Sequence, residues 1–209
     1  MITCKETDDI QRFLENAVDA IHSQGYFIAP HSLPQPIAQA LLDEVQALQQ
    51  SHFHEASIGR ETDNTQNKTI RRDQIHWFNG QTQAEAIWLD WTSNIQTAMN
   101  RYLYMGLFSF EGHYAHYRQG DFYKKHVDAF RGKSNRKLTL INYLNKSWSQ
   151  DDGGEMILYL PNNQSVSIAP EFATTVLFLS EDFPHEVLPS KRDRYSVTGW
   201  FRINESGHI

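Results

Sequence analysis

The stretch DFYKKHVDAF, residues Asp121 to Phe130, contains a histidine and a carboxylate one residue apart. If this stretch is a β-strand, the side chains of His126 and Asp128 project from the same face and can point at one metal ion. An imidazole nitrogen and a carboxylate oxygen suit a transition metal. Because the chain has ten histidines, such a triplet arises easily by chance, so the pair predicts a metal site only if a third ligand exists.

The best candidate for that third ligand is His185 in EDFPHEVLP. It follows a strongly apolar predicted strand, Thr175 to Leu179, and a turn with Pro184, which would place it at the rim of a sheet. Two histidines and one carboxylate leave half of an octahedron open, which suits non-haem Fe(II) and oxygen chemistry. A closed zinc site usually takes four protein ligands, often cysteines, and Cys4 is the only cysteine here.

A second constellation could bind an anion. Arg194 opens the apolar stretch RYSVTGWF, where a charged side chain is costly unless an anion pairs with it. A salt bridge at the strand end would be the simpler explanation. Tyr143, a hydroxyl donor in the interior stretch LINYLNKSW, favours instead a pocket in which both residues bind the distal carboxylate of a dicarboxylate ligand.

The elements that must position these residues change character along the chain. Apolar residues recur at three- and four-residue steps in 8–25, 34–49 and 83–104, which predicts three helices. From Phe108 onwards, short stretches rich in β-branched and aromatic residues alternate with turn residues and predict strands. The pattern predicts an α+β fold with a double-sheet core of the sandwich or jelly-roll type.

The predicted organisation is one domain over residues 1–209, with a helical flank at 1–58 and a β core at 59–204. Gly59 to Thr69, GRETDNTQNKT, has almost no apolar residues and no periodicity, so we predict a mobile loop at 59–73.

Composition narrows the class of protein. The net charge of −6 disfavours a nucleic-acid partner, because an acidic surface repels phosphate backbones. A single cysteine among 209 residues fits a reducing compartment. The N-terminus lacks the features of a signal peptide, and no apolar run reaches the length of about 18 residues that a membrane span needs. We therefore expect a cytoplasmic protein without a membrane partner.

The order of these motifs resembles the Fe(II)/2-oxoglutarate-dependent dioxygenases. HVD, then PHEV, then Arg194 nine residues after His185 match that superfamily. The match narrows to the prolyl-hydroxylase-domain group, the enzymes that act on hypoxia-inducible factor, and their bacterial relatives. It extends to IRRDQIHWF, YRQGDFYKKHVD, INYLNKSW, DGGEMILY and PHEVLPSKRDRYSVTGWF, and so covers roughly Gly59 to Arg202.

The resemblance implies a double-stranded β-helix (jelly-roll) core with N-terminal helices packed on one sheet. It also implies Fe(II) as cofactor, 2-oxoglutarate and O2 as co-substrates, ascorbate as a further small molecule, and no catalytic side chain beyond the metal site. The implied site residues are His126, Asp128 and His185 for the metal, Arg194, Tyr143, Tyr117 and Thr198 for 2-oxoglutarate, Trp200 for the pocket wall, and Tyr123, Arg136, Arg71 and Asp73 for the substrate.

The activity implied is hydroxylation of a proline at C4 in a protein substrate, with succinate and CO2 as co-products. Analogy with bacterial relatives suggests a target in the translation machinery. Compared with the animal enzymes, the turn after Tyr117 is one residue shorter and lacks their proline, and the 59–69 loop differs. The identity of the peptide therefore stays open.

Three other functions share parts of this pattern. A small-molecule hydroxylase would keep every metal and co-substrate residue, although the polar loop and the IRRD stretch favour a peptide. A nucleic-acid demethylase usually has a second arginine six residues after the first, where this chain has Trp200. A non-catalytic module that senses oxygen or 2-oxoglutarate is less favoured, because an active site that no longer catalyses a reaction usually loses one of its metal ligands.

Overall fold

The computed structural model describes residues 4–48, 53–55, 69–129 and 135–203. In this part of the chain there are three α-helices, two single-turn 3-10 helices and two antiparallel sheets. The α-helices are α1 (Cys4–Gln24), α2 (Gln35–Ala47) and α3 (Gln83–Leu103). The strands are β1 (Tyr26–Ala29), β2 (His54–Glu55), β3 (Gln74–Trp77), β4 (Ser109–Tyr117), β5 (Tyr123–His126), β6 (Arg136–Tyr143), β7 (Met156–Tyr159), β8 (Ser165–Ile168), β9 (Thr175–Leu179), β10 (His185–Val187) and β11 (Arg194–Arg202).

The two sheets face each other as in a jelly roll. The major sheet has the strand order β1-β9-β6-β11-β4-β3-β2, and the minor sheet has the order β5-β10-β7-β8. Side chains of β6 alternate between the two faces of the major sheet: Leu138 and Leu140 pack with the helices, whereas Ile141 and Tyr143 pack between the sheets. The predicted double-sheet core is confirmed, and its interior face is where the site lies.

The helices cover the outer face of the major sheet. Trp88 of α3 is fully buried there, and its indole N–H donates to Asn142 Oδ1 of β6 at 2.8 Å. α3 begins after Thr82, whose hydroxyl accepts from the Glu85 amide, and ends at Tyr104, a left-handed residue that stops the helix. The packing of helices on one sheet agrees with the expected fold class. No helix among the described residues is both long and apolar enough to cross a membrane.

A short segment, residues 70–72, links the two sheets at one end of the jelly roll, which we call the mouth. The Arg72 amide donates to the Phe122 carbonyl, and the Lys124 amide donates to the Ile70 carbonyl, so residues 70–72 extend the minor sheet beside β5. The chain then enters the major sheet as β3. Residues 59–68 of the predicted mobile loop lie outside the described residues, and the predicted domain boundaries stay a prediction.

Candidate active site

Three potential metal ligands meet at the edge of the minor sheet. His126 ends β5 and His185 begins β10, and these two residues are direct cross-strand partners. Asp128 lies in a bend after β5 rather than in the strand. The prediction that strand alternation brings His126 and Asp128 together was therefore wrong in its mechanism, because β5 ends at His126 and the bend turns the carboxylate inward.

The geometry of this group fits a single metal ion. Its three ligand atoms lie within 4.8 Å of one another. Asp128 Oδ1 is 3.6 Å from His126 Nε2 and 3.7 Å from His185 Nε2. Each Nδ1 lies near a backbone carbonyl, Lys124 O at 2.9 Å and Phe183 O at 3.1 Å. Because a carbonyl only accepts, both Nδ1 atoms carry the proton, which leaves each Nε2 lone pair directed at the common centre.

The charges of the group also suit a cation. Burial lowers the pKa of His185 to about 4, so its imidazole is neutral and can ligate. Burial alone would raise the pKa of the Asp128 carboxyl, but the adjacent His185 and His126 outweigh burial and hold that pKa far below its usual range. A neutral imidazole and an ionised carboxylate are the forms that bind metals.

A buried arginine lies deeper between the sheets. Arg194 is 2% exposed, and its Nε donates to the Gly154 carbonyl at 3.0 Å. No acidic side chain among the described residues forms an ion pair with it. Gly154 has φ +71°, and a Cβ there would lie 2.8 Å from Ser190 Cβ, so this close approach requires glycine. A buried cation without an anion is costly, which indicates that the pocket takes a carboxylate or similar group.

Two tyrosines, Tyr117 and Tyr143, flank this arginine. The guanidinium carbon of Arg194 is 4.9 Å from the ring centroids of both Tyr117 and Tyr143. The Tyr143 hydroxyl is buried and has no hydrogen-bond partner in the described part of the chain. Burial raises the pKa of both phenols, so each hydroxyl keeps its proton for donation. The pocket thus has a cation and an unused donor, a combination that suits a carboxylate ligand.

Thr198 and Trp200 follow Arg194 on the interior face of β11. Thr198 is half-buried between its cross-strand partners His113 and Ile141. Trp200 is 7% exposed and stands beside His113, with 5.4 Å between the ring centroids. These positions are compatible with the co-substrate and wall roles that the resemblance implies, which stay predictions.

A stack of three side chains leads from the mouth to the metal ligands. The Arg71 guanidinium lies 4.3 Å from the Tyr123 ring centroid, and the Tyr123 ring stacks on His126 at 3.5 Å. Arg71 binds both carboxylate oxygens of Asp73, which is 1% exposed. Burial lowers the pKa of Arg71, but Asp73 more than reverses this and raises it above its usual value. These residues therefore brace the mouth, whatever part they have in substrate binding.

Arg136, the other residue predicted to face the substrate, begins β6 and lies beside Trp200. Its guanidinium lies 3.7 Å from the Trp200 ring centroid, and it forms an ion pair with Glu111 at 2.8 Å. Its substrate role stays a prediction.

The sequence reasoning missed two kinds of residue at this site. Thr139 and Ser180 are fully buried hydroxyls connected to Asp128, and Trp77 packs with the buried His113 beside Trp200. A usable signal existed for Thr139, since it shares the interior face of β6 with Tyr143. No comparable signal marks Ser180, which follows β9 in a turn.

The ion pair between Arg71 and Asp73 predicts an effect on stability. Asp73→Asn should lower the free energy of unfolding by about 3–5 kcal/mol, because it leaves the buried Arg71 charge without its carboxylate. The double change Arg71→Met/Asp73→Leu should be close to neutral, since apolar residues of similar volume replace the whole pair. Urea unfolding measures both. Equal losses in the two variants would contradict the assignment of the cost to the removal of one member of the Arg71–Asp73 pair.

Comparison with known proteins shows to which family the chain belongs. The profile of the 2OG-Fe(II) oxygenase superfamily matches residues 112–202, a range that contains the three potential metal ligands and Arg194. The crystal structure of a prolyl-4-hydroxylase from Pseudomonas putida has 35% sequence identity and a TM-score of 0.84, over 91% of this chain and 99% of that one. The chain belongs to the prolyl 4-hydroxylase family of 2OG-Fe(II) oxygenases.

Animal members of the family are similar as well. A prolyl hydroxylase from Trichoplax adhaerens, in complex with a hypoxia-inducible factor oxygen degradation domain peptide, has a TM-score of 0.85 and 29% identity over 96% of this chain and 93% of that one. Egl nine homolog 1 from Mus musculus is 29% identical over 199 residues, 90% of this chain and 49% of that protein. This chain spans about half the length of the curated relatives of that type. The predicted resemblance is confirmed.

The cofactors of the family fit the residues present. Fe(II), 2-oxoglutarate and O2 are used by 2OG-Fe(II) oxygenases. The His-Asp-His group supplies nitrogen and oxygen ligands that suit Fe(II), and the unpaired Arg194 beside the unused Tyr143 hydroxyl suits a dicarboxylate.

Proposed function

We propose that the protein is a prolyl 4-hydroxylase that acts on a proline in a protein substrate. The observation that supports the oxidative chemistry is that the His-Asp-His group and the buried Arg194, which has no acidic partner among the described residues, lie between the same two sheets. The relationship over 91% of the chain to a prolyl-4-hydroxylase supports proline as the target.

In this proposal His126, Asp128 and His185 hold Fe(II), while Arg194 and Tyr143 hold the C5 carboxylate of 2-oxoglutarate. Together iron and 2-oxoglutarate supply the oxidative chemistry that reduces O2, releases CO2 and succinate, and places one oxygen atom in a substrate C–H bond. The chain's own residues bind, orient and exclude water. The apolar wall of Tyr117 and Trp200, both less than a tenth exposed, keeps solvent from the reacting atoms.

Substrate would enter beside the segment that links the two sheets. Tyr123, Arg71 and Asp73 lie there, and Arg136 lies next to Trp200. We propose that these residues border the bound peptide. Support comes from the position of residues 70–72 at the mouth and from the relative whose structure contains a bound peptide.

Several finer features belong to the same proposal. A cytoplasmic location is supported by the single cysteine, Cys4. Ascorbate as a further small molecule rests on the resemblance to the dioxygenase family, and a target in the translation machinery rests on analogy with bacterial relatives. The catalytic unit is proposed to extend over residues 1–209.

The proposal is tested by comparing proteins from cells that have and lack the gene, using mass spectrometry. The expected result is a proline in at least one protein that loses the mass of one oxygen atom when the gene is absent. Acid hydrolysis and separation of hydroxyproline isomers then check the C4 position. A missing oxygen on a metabolite or nucleotide, with no change on proline, would replace the peptide proposal with one of the alternatives.

A further inference from the structure

Two buried hydroxyls lie behind the potential metal-ligand carboxylate. Thr139 in β6 and Ser180 after β9 have no exposed surface, and their oxygens are 2.9 Å apart. Thr139 Oγ1 also lies 2.8 Å from Asp128 Oδ2. The other carboxylate oxygen, Oδ1, is the one that faces the two histidines. One oxygen of Asp128 is therefore engaged by the protein, and one is directed at the centre of the site.

The direction of these hydrogen bonds follows from chemistry. A carboxylate that ligates a metal is ionised and can only accept a hydrogen bond, so Thr139 donates to Asp128. A hydroxyl has one proton, and once it is donated the Thr139 oxygen can only accept from Ser180. The order is therefore Ser180 to Thr139 to Asp128.

These hydroxyls are not needed to pair the strands that bear them. Thr139 is the backbone register partner of Phe178, and the Ser180 amide donates to the Lys137 carbonyl at 3.1 Å. A valine would fit the shape of position 139 in an apolar interior, so the threonine hydroxyl calls for a different reason.

We propose that Thr139 and Ser180 are positioning residues that hold Asp128 to the metal through a single oxygen. This inference rests on the iron site of the proposed function. A carboxylate free to turn could bind with both oxygens, as carboxylates do on other metals, and would then occupy a coordination position that a chelating co-substrate needs. The hydroxyl pair keeps Oδ2 engaged and so preserves the open half of the site.

The test measures metal binding directly, with Mn²⁺ as the probe and the signal of the free ion in electron paramagnetic resonance as the readout. Thr139→Val should raise the Mn²⁺ dissociation constant about 10- to 100-fold, the range for loss of a partner that orients a metal ligand. Thr139→Ser keeps the hydroxyl and should stay close to wild type. Ser180→Ala should give a smaller increase, since Thr139 still donates.

A double variant separates positioning from simple destabilisation. Thr139→Val leaves the Ser180 hydroxyl buried without its acceptor, which by itself lowers stability. Thr139→Val/Ser180→Ala removes that unpaired group, so thermal stability should recover while Mn²⁺ affinity stays low. Recovery of affinity together with stability would overturn the proposal.

A spectroscopic measurement separates positioning of the ligand from a purely structural role, because a purely structural role would leave the spectrum unchanged. At saturating Fe(II) and 2-oxoglutarate without oxygen, the visible charge-transfer absorption of the complex should be weaker in Thr139→Val and normal in Thr139→Ser. Wild-type affinity and an unchanged absorption in Thr139→Val would overturn the inference. If Thr139→Val does not fold, Ser180→Ala replaces it in the test. Wild-type Mn²⁺ affinity in Ser180→Ala would then overturn the proposal. Failure of the wild-type protein to bind Mn²⁺ would instead contradict the iron site itself.

Discussion

Asp128→Ala should reduce succinate release from 2-oxoglutarate by more than about 100-fold, and His126→Ala should do the same. Changes to residues that merely orient a ligand cost about 10- to 100-fold, so loss of a ligand must cost more. Asp128 is also the only acidic member of the group among the described residues, so its removal takes away the negative charge that offsets the metal's. The measurement is succinate formed with Fe(II) and 2-oxoglutarate, together with Mn²⁺ affinity.

Asp121→Asn is the matched control for this result. Asp121 belongs to the same stretch, and its Oδ2 accepts from the Arg118 amide in a turn at 2.9 Å. An asparagine oxygen can keep that bond, so turnover should stay close to wild type. Normal turnover in both Asp128→Ala and His126→Ala would contradict the metal assignment.

Arg194→Met should raise the KM for 2-oxoglutarate by roughly 30- to 4,000-fold. Removing one member of a buried charge pair costs about 2–5 kcal/mol of binding free energy, and each 1.4 kcal/mol corresponds to about a factor of ten. Tyr143→Phe should have a smaller effect in the same direction, because it removes one hydrogen bond to a charged group, worth about 1.5–3 kcal/mol. The half-saturating concentration of Fe(II) should change far less in both variants.

The control for Arg194 is its exposed neighbour. Arg192 donates to the Ser147 and Lys146 carbonyls at the surface and lies outside the pocket, so Arg192→Lys should leave both constants close to wild type. If Arg194→Met is too unstable to assay, Arg194→Lys replaces it and should also bind 2-oxoglutarate more weakly, since a lysine cannot bind a carboxylate with two parallel hydrogen bonds. A selective rise in the Fe(II) requirement would mean that the anion pocket lies elsewhere.

Much of the fold could be predicted because the sequence repeats at the period of each element. The stretch KLTLINYL alternates between the helix-packed and interior faces of β6, and α3 ends at Leu103, the last residue of its apolar period. β10 spans only His185–Val187, and a strand of three residues has no readable period. His185 was therefore expected only at the rim of a sheet; it is the first residue of β10, and its partners His126 in β5 and Leu158 in β7 could not be read from the sequence.

The site shows the same division between local and long-range information. Arg194 and Tyr143 could be placed in one pocket because each is an unusual polar residue in an apolar stretch, and β11 and β6 are indeed neighbours. The approach of Asp128 to the histidines depends on a bend, and its bond to Thr139 depends on how that bend lies against β6. Neither contact leaves a pattern in the sequence: strand alternation places Thr139 on the interior face of β6 with Tyr143, but it does not show that the hydroxyl meets Asp128.

The stack at the mouth was also beyond prediction. Tyr123, Arg71 and Asp73 were identified through resemblance as residues that face the substrate. The structure shows in addition that Tyr123 lies between the Arg71 guanidinium and the His126 ring. That arrangement requires residues 70–72 to pair with β5, a contact between segments about fifty residues apart in sequence.

The most direct test of the proposed function is the transfer of oxygen from O2 to a protein. Proteins from cells that lack the gene are incubated with the purified protein, Fe(II) and 2-oxoglutarate under ¹⁸O2, and their peptides are analysed by mass spectrometry. The account predicts ¹⁸O on a proline of at least one protein, and none when Asp128→Ala replaces the wild type. Incorporation of ¹⁸O into a small molecule or nucleic acid but into no proline would contradict it.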